Sequence, residues 1–283
     1  MVSKIVFMKK IIQKTIGFYF NFLGLIHPKL IANKGFQLFC SPMVSPLKKH
    51  QVDFLETGKY KILEFEKEKI QTYKWGNGSQ KVLLIHGWAS HSFRWKNYIP
   101  KLINNDFTVY ALDAQAHGLS SGKTLNVVSY AQIIDLFIKS NEQIDSIISH
   151  SIGSFAATYW LFQNAENSIK KVVIMGAPEN ASDFFAFYKN ALSLTNRTLN
   201  IVIQQFVNNF NYPPSYFSTS TFAKTIHNDC LIIHDKNDLE ADFNYSIKLH
   251  ENWKNSQLIL TEGLGHNIKS NEIIEKVIHF VKK

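Results

Sequence analysis

Six short, predominantly apolar runs constrain the fold of this chain most. They lie at 82–85, 107–112, 144–148, 172–175, 231–233 and 258–260. Apolar runs of this length suit strands buried on both faces, as in a parallel sheet. Helical patterns fall between most of them, at about 92–104, 124–140, 152–166, 238–252 and 268–281. Strand and helix in alternation predict an α/β fold with right-handed crossovers. Two further strands, at 60–65 and 70–75, precede the first run and are joined by a charged turn.

One interval breaks the rhythm. More than fifty residues separate Met175 from Leu231, several times a usual connection. Helical patterns at 183–194 and 199–208 occupy it, and aromatic residues are dense: Phe184, Phe187, Phe206 and Tyr212 are four of them. An apolar insertion at the carboxyl end of a strand is expected to cap a ligand pocket, because ligands bind at that edge of such sheets. The expected division is an N-terminal helical extension at 1–57, a core at 58–178 and 227–283, and a cap at 179–226. Phe184, Phe187 and Phe206 are the expected acyl-binding side chains.

The N-terminal extension is basic and apolar. Lys4, Lys9 and Lys10 precede Ile12, Ile16, Tyr19, Phe20 and Leu23, which recur at helical spacing. Gln13, Lys14 and Asn21 interrupt the apolar run, and no small-residue cleavage site follows, which argues against a signal peptide. The uninterrupted part is too short to span a bilayer. A helix packed on the core and one lying on a membrane surface are the two readings. A cytoplasmic chain, with membrane contact confined to this helix, is the corresponding expectation. Pro28, Pro42 and Pro46 keep the helices after it short.

The net charge of +9 raises the question of nucleic acid. The lysines are scattered and no nucleic-acid motif accompanies them, so no nucleic-acid partner is expected. Cys40 and Cys230 are the only cysteines; Cys230 opens an apolar run, which predicts a buried thiol. The histidines and cysteines lack His-x-x-x-His or Cys-x-x-Cys spacing, so no metal or cofactor is expected.

Chemistry concentrates at Ser149-His150-Ser151-Ile152-Gly153-Ser154, where a buried strand turns straight into a helix. So tight a turn needs small residues around its centre, and Ser149, Gly153 and Ser154 supply them. Ser151 is pushed outward, and the Ile152 N–H lies at a helix start, which suits a negative oxygen. This is the pattern of a nucleophile elbow, with Ser149 where its first glycine would stand.

A nucleophilic serine needs a base, an orienting acid and oxyanion donors. The base candidate is His266, between Gly265 and Asn267 after the last strand. The acid candidate is Asp238, a few residues past 231–233, with Asp235 as its rival and Glu179 and Asp183 as weaker choices. The oxyanion donors are the N–H groups of Ile152 and Trp88. The Trp88 indole is expected near the acyl pocket, and His86 is expected to hold the loop.

These residues resemble the α/β-hydrolase superfamily over about 58–283. His86-Gly87-Trp88 resembles its oxyanion loop. Asp113-Ala114-Gln115-Ala116-His117-Gly118-Leu119-Ser120 resembles its Asp-x-x-Gly-His-Gly-x-Ser loop, with Ala116 replacing a glycine. Residues 149–154 resemble the elbow, and Asp238 and His266 match the acid and base positions. The resemblance implies an eight-stranded, mostly parallel sheet flanked by helices and a Ser-His-Asp hydrolase. It assigns His117 and Asp113 to loop shaping. The serine excludes relatives with an aspartate nucleophile. A carboxylic-ester hydrolase for small or medium apolar acyl groups is the expected function. The alternatives are a thioesterase or acyltransferase on acyl-carrier substrates, or a non-catalytic ligand-binding member. The expected partner is accordingly a small-molecule ester or thioester; the oligomeric state stays open.

Overall fold

The computed structural model describes residues 2–141 and 143–282, and, within the first helix, no side chains of residues 2–7 and 9. The side chains of Lys4 and Lys9, and Lys283 altogether, therefore lie outside what is described. The chain divides into two compact units: residues up to Ser41 with 180–218, and residues 42–179 with 219–283.

The larger unit is built on eight strands: β1 (Lys59–Phe65), β2 (Glu68–Trp75), β3 (Gln80–Ile85), β4 (Phe107–Leu112), β5 (Ser146–His150), β6 (Lys171–Met175), β7 (Asp229–Asp235) and β8 (Ser256–Thr261). Their order is β1-β2-β4-β3-β5-β6-β7-β8. The β1–β2 and β2–β4 pairs are antiparallel and all others are parallel. Five of the apolar runs read from the sequence fall in the inner strands β3 to β7, and the sixth, at 258–260, in the edge strand β8. Every residue of β4 and β5 is buried, as expected where helices cover both faces.

Val82, Leu84, Val109, Ile148, Val173 and Ile233 project to one face and join a core with Trp95, Leu102, Ile274, Val277 and Val281. Each such side chain contributes about 1.5–3 kcal/mol when fully buried. The helix Val127–Lys139 begins at Asn126, whose side chain accepts the Ser129 N–H at 2.9 Å. That bond satisfies one of the unpaired donors of a helix start. Its stripe Tyr130, Ile133, Ile134 and Phe137 is buried, and it packs on the helix Ile152–Gln163 that leaves the elbow. Cys40 and Cys230 are both free and buried, and burial pushes both thiols up, Cys40 to about 12. Among the described residues, no helix is long and apolar enough to cross a membrane.

The smaller unit is helical: Val2–Ile26, Pro28–Phe39, Ala181–Leu192 and Asn196–Phe210. Pro28 sits at the start of its helix, where its missing N–H costs nothing. The first helix packs closely on the third. A Cβ at Gly17 would lie 1.6 Å from the Leu192 carbonyl oxygen, so only glycine fits there. Asn21, which interrupts the apolar run in the sequence, grips the turn between the third and fourth helices. Its side chain donates to Ser193 O at 3.0 Å and accepts the Thr195 N–H at 2.9 Å. The N-terminal residues and the insertion thus build one unit, whereas the sequence suggests two separate segments bounded at 57, 179 and 226. Residues 42–57 and 219–226 belong with the sheet.

The insertion's aromatic residues mostly fill this unit's interior. Phe39 stacks on Phe185 at 4.2 Å, and Phe206 meets Phe36, Phe185, Phe210 and Phe217 edge-on. Phe206 is only 6% exposed, so it is a core residue of the helical unit and not the pocket wall expected of it. Phe184 is partly buried, and Phe187 is 74% exposed.

Candidate active site

The chain leaves β3 for β4 on one side and then continues from β5 to β8 on the other. Ligands bind where strand order reverses in this way, at the carboxyl ends. Ser151 follows β5 directly, Gly87 and Trp88 follow β3, Asp238 follows β7 and His266 follows β8. Four loops distant in sequence therefore converge on one end of the sheet.

Ser151 has φ 55° and ψ −127°, a strained conformation for a residue with a side chain. The tight packing beneath it over-determines that strain. A Cβ at Gly153 would lie 2.3 Å from the His86 carbonyl oxygen, which is backbone and cannot step aside. Ser149, standing where the elbow pattern has glycine, uses its hydroxyl to donate to Val173 O at 2.9 Å. Ser154 reaches Met175 O and accepts the Met175 N–H, both at 3.2 Å. The two serines tie the elbow to β6.

Ser151 Oγ lies 3.0 Å from His266 Nε2, and His266 Nδ1 lies 2.7 Å from Asp238 Oδ2. A carboxylate only accepts, so Nδ1 carries the proton and Nε2 is free to accept from the serine hydroxyl. Asp238 is saturated with donors. His234 Nε2 also donates to Oδ2 at 3.0 Å, and the Glu240 and Ala241 N–H groups donate to Oδ1 at 2.8 and 3.0 Å. Burial by itself would raise this carboxyl. The hydrogen bonds from His234, His266 and the two amides outweigh it and hold the group well below the usual carboxylate range.

Asp235, the rival acid, is occupied elsewhere. It accepts from Thr261 Oγ1 at 2.7 Å, Leu264 N at 2.9 Å and Asn237 N at 3.0 Å. It shapes the loop that carries His266. Glu179 pairs with Lys248 at 2.7 Å, and Asp183, in the helical unit, bonds the helix-capping residue Asn180.

The loop after β3 is held from beneath. His86 Nε2 accepts the Ala114 N–H at 2.9 Å, which leaves Nδ1 to donate to Gly87 O at 2.7 Å. His117 Nε2 accepts the Ala89 N–H at 3.0 Å. Asp113 accepts from Ser92 N, Ser92 Oγ, Leu119 N and Tyr73 Oη. Among the described residues, neither the Ile152 nor the Trp88 N–H donates to a protein acceptor. The Trp88 ring stands edge-on to His117 at 5.6 Å and is 36% exposed.

Two positioning contacts escape sequence reasoning. His234 is the second imidazole on Asp238; its only signal is a spacing of four residues. Arg94 donates to Asn267 O at 2.7 Å and to Asn267 Oδ1 at 3.2 Å. It thereby ties the loop of His266 to the segment after β3, although 173 residues separate the partners. Burial pushes its guanidinium down to about 10. A groove of about 540 Å³ lined by Lys171, Asp229, Asn255 and His279 opens at the amino ends of β6–β8, the opposite end from Ser151. Among the described residues, no cluster of His, Cys, Asp or Glu could hold a metal ion.

The sheet order, the strand-to-helix serine and the convergent loops define an α/β-hydrolase. The family model for "Serine aminopeptidase, S33" matches residues 76–241. The chain belongs to this family of α/β-hydrolase enzymes. Solved structures similar to it include an esterase from Pyrococcus furiosus, 18% identical, with TM-score 0.63, covering 86% of this chain and 96% of that one. A bromoperoxidase from Bacillus anthracis is 18% identical, with TM-score 0.63, covering 80% and 100%. A monoacylglycerol lipase from Paleococcus ferrophilus is 19% identical, with TM-score 0.59, covering 75% and 98%. At such identities the likeness concerns the fold. No curated protein matches the sequence.

Proposed function

We propose that the protein hydrolyses a carboxylic ester of a small or medium apolar acyl group through a Ser151–His266–Asp238 triad. The observation that carries this reading is the unbroken relay, 3.0 Å from serine to imidazole and 2.7 Å from imidazole to carboxylate. In the proposed cycle His266 Nε2 takes the Ser151 proton as Oγ attacks the carbonyl. Asp238 keeps Nδ1 protonated and stabilises the imidazolium. The uncommitted Ile152 and Trp88 N–H groups receive the oxyanion. His266 then protonates the leaving alcohol, and water attacks the acyl-enzyme by the same route in reverse. The esterase and the lipase among the similar folds support an ester as the substrate class.

A second reading rests on Glu240, whose carboxylate lies 3.7 Å from His266 Nε2. It offers a seat for the α-amino group of an aminoacyl substrate, which accords with the family's description. The test is a panel of p-nitrophenyl esters of graded acyl length, run beside acyl thioesters and aminoacyl anilides, on wild type and Ser151→Ala. The ester reading predicts the highest kcat/KM on short to medium esters. Preference for anilides, lost in Glu240→Gln, would favour the second reading. Turnover that survives in Ser151→Ala would reject both.

A further inference from the structure

The helix Val2–Ile26 carries two apolar faces, and only one is packed. Gly17, Phe20 and Gly24 are buried within the helical unit. Ile11, Ile12, Phe18, Tyr19, Phe22, Leu25 and Ile26 are all exposed, Phe18 by 75%. At 3.6 residues per turn these seven share the side opposite the packed one. Thr15 interrupts them, but its hydroxyl donates to Ile11 O at 3.0 Å and is satisfied within the helix. A contiguous exposed stripe of this size marks an interaction surface.

Charge selects the partner. The helical unit, residues 1–41 and 180–218, holds eight lysines and arginines but a single acidic residue, Asp183. Lys10 and Lys14 are exposed beside the stripe. A second copy would bring like charges together across a self-paired stripe. An anionic bilayer accepts both features, aromatic and aliphatic side chains at the acyl boundary and lysines at the headgroups. Among the described residues, no helix, this one included, is long and apolar enough to cross a membrane.

We infer that this face docks the protein flat on an anionic lipid surface, with Phe18, Tyr19, Phe22 and Leu25 inserted and Lys10 and Lys14 against the headgroups. The inference is independent of the catalytic reading.

The experiment is sedimentation of the full-length protein with vesicles of phosphatidylcholine alone or mixed with phosphatidylglycerol, across a salt series. Expected are binding to the mixed vesicles, loss of binding as salt rises, and weak binding to the neutral ones. Lys10→Gln with Lys14→Gln should weaken binding by roughly fivefold per lysine. Phe18→Asp with Phe22→Asp should weaken it by roughly a hundredfold or more. Their exposure leaves the packed face untouched, and the wild-type lipid and salt dependence tests the inference without any variant. Failure to bind the mixed vesicles at low salt overturns it. So does equal, salt-insensitive binding to both vesicles. Self-association abolished by the phenylalanine changes, in a protein that ignores vesicles, would assign the stripe to a second copy instead.

Discussion

Replacing Asp238 by asparagine should disable the proposed relay without dismantling its frame. The amide oxygen introduced there can still accept the Glu240 and Ala241 N–H groups that now meet Oδ1. The new NH₂ then faces two imidazole N–H groups where Oδ2 had accepted both. His234 has an alternative acceptor, Ala241 O, at 3.0 Å from the same Nε2. Among the described residues, His266 has no such second acceptor at Nδ1. It must surrender that proton and accept from the amide, which moves its hydrogen to Nε2, facing Ser151. The base is then absent from the one atom that needs it. A wrong tautomer of this kind costs about 10⁴ in kcat, or about 5 kcal/mol of barrier. The assay is kcat on the best ester of the panel, with a thermal melt to verify folding. A folded variant that kept more than about a tenth of wild-type kcat would refute the argument, since the magnitude rests on the tautomer alone.

Asp235→Asn should instead act on the loop: it weakens the hold on Thr261 and Leu264 and lowers Tm, while kcat falls far less than in Asp238→Asn. Phe206→Ala should cost about 3–5 kcal/mol in denaturant unfolding as a core cavity, and Phe187→Ala under about 0.5 kcal/mol. A change in acyl-length preference confined to Phe187→Ala would support the cap expected from the sequence. Stability should also fall as pH drops below 6.5. Burial holds His86 and His150 well below that value, so between the folded and unfolded pKa values the unfolded chain binds protons that the folded chain refuses. Each contributes a slope of about 1.4 kcal/mol per pH unit. His150→Gln should remove about one proton's slope from the unfolding free energy measured between pH 7 and pH 5.

The sheet was legible because the strands from β3 to β7 are largely buried on both faces and read as predominantly apolar runs. The elbow was legible because sterics restrict residues 149–154 to small side chains around Ser151. Asp235 ends β7 and Asp238 follows it, and their contacts separate them: Asp238 meets His266, whereas Asp235 holds the turn. Other features depend on contacts that no local pattern announces. Gly17 meets Leu192, Asn21 meets 193–195, and Arg94 meets Asn267, all across more than 170 residues. Aromatic density alone cannot distinguish a lining from a core, and Phe206 packs among Phe36, Phe185, Phe210 and Phe217. Strand burial accounts for His234 in β7 without reference to its partner Asp238, so no local pattern announces that bond.

The central claim is that Ser151 is an activated nucleophile. Incubation with a fluorophosphonate, followed by peptide mass spectrometry, tests it most directly. One adduct is expected, on Ser151, formed rapidly in wild type and far more slowly in His266→Ala. A loss on the order of 10⁶ in kcat is likewise expected for Ser151→Ala. An adduct on another residue, or an unlabelled Ser151 in protein that still turns over esters, would contradict the claim.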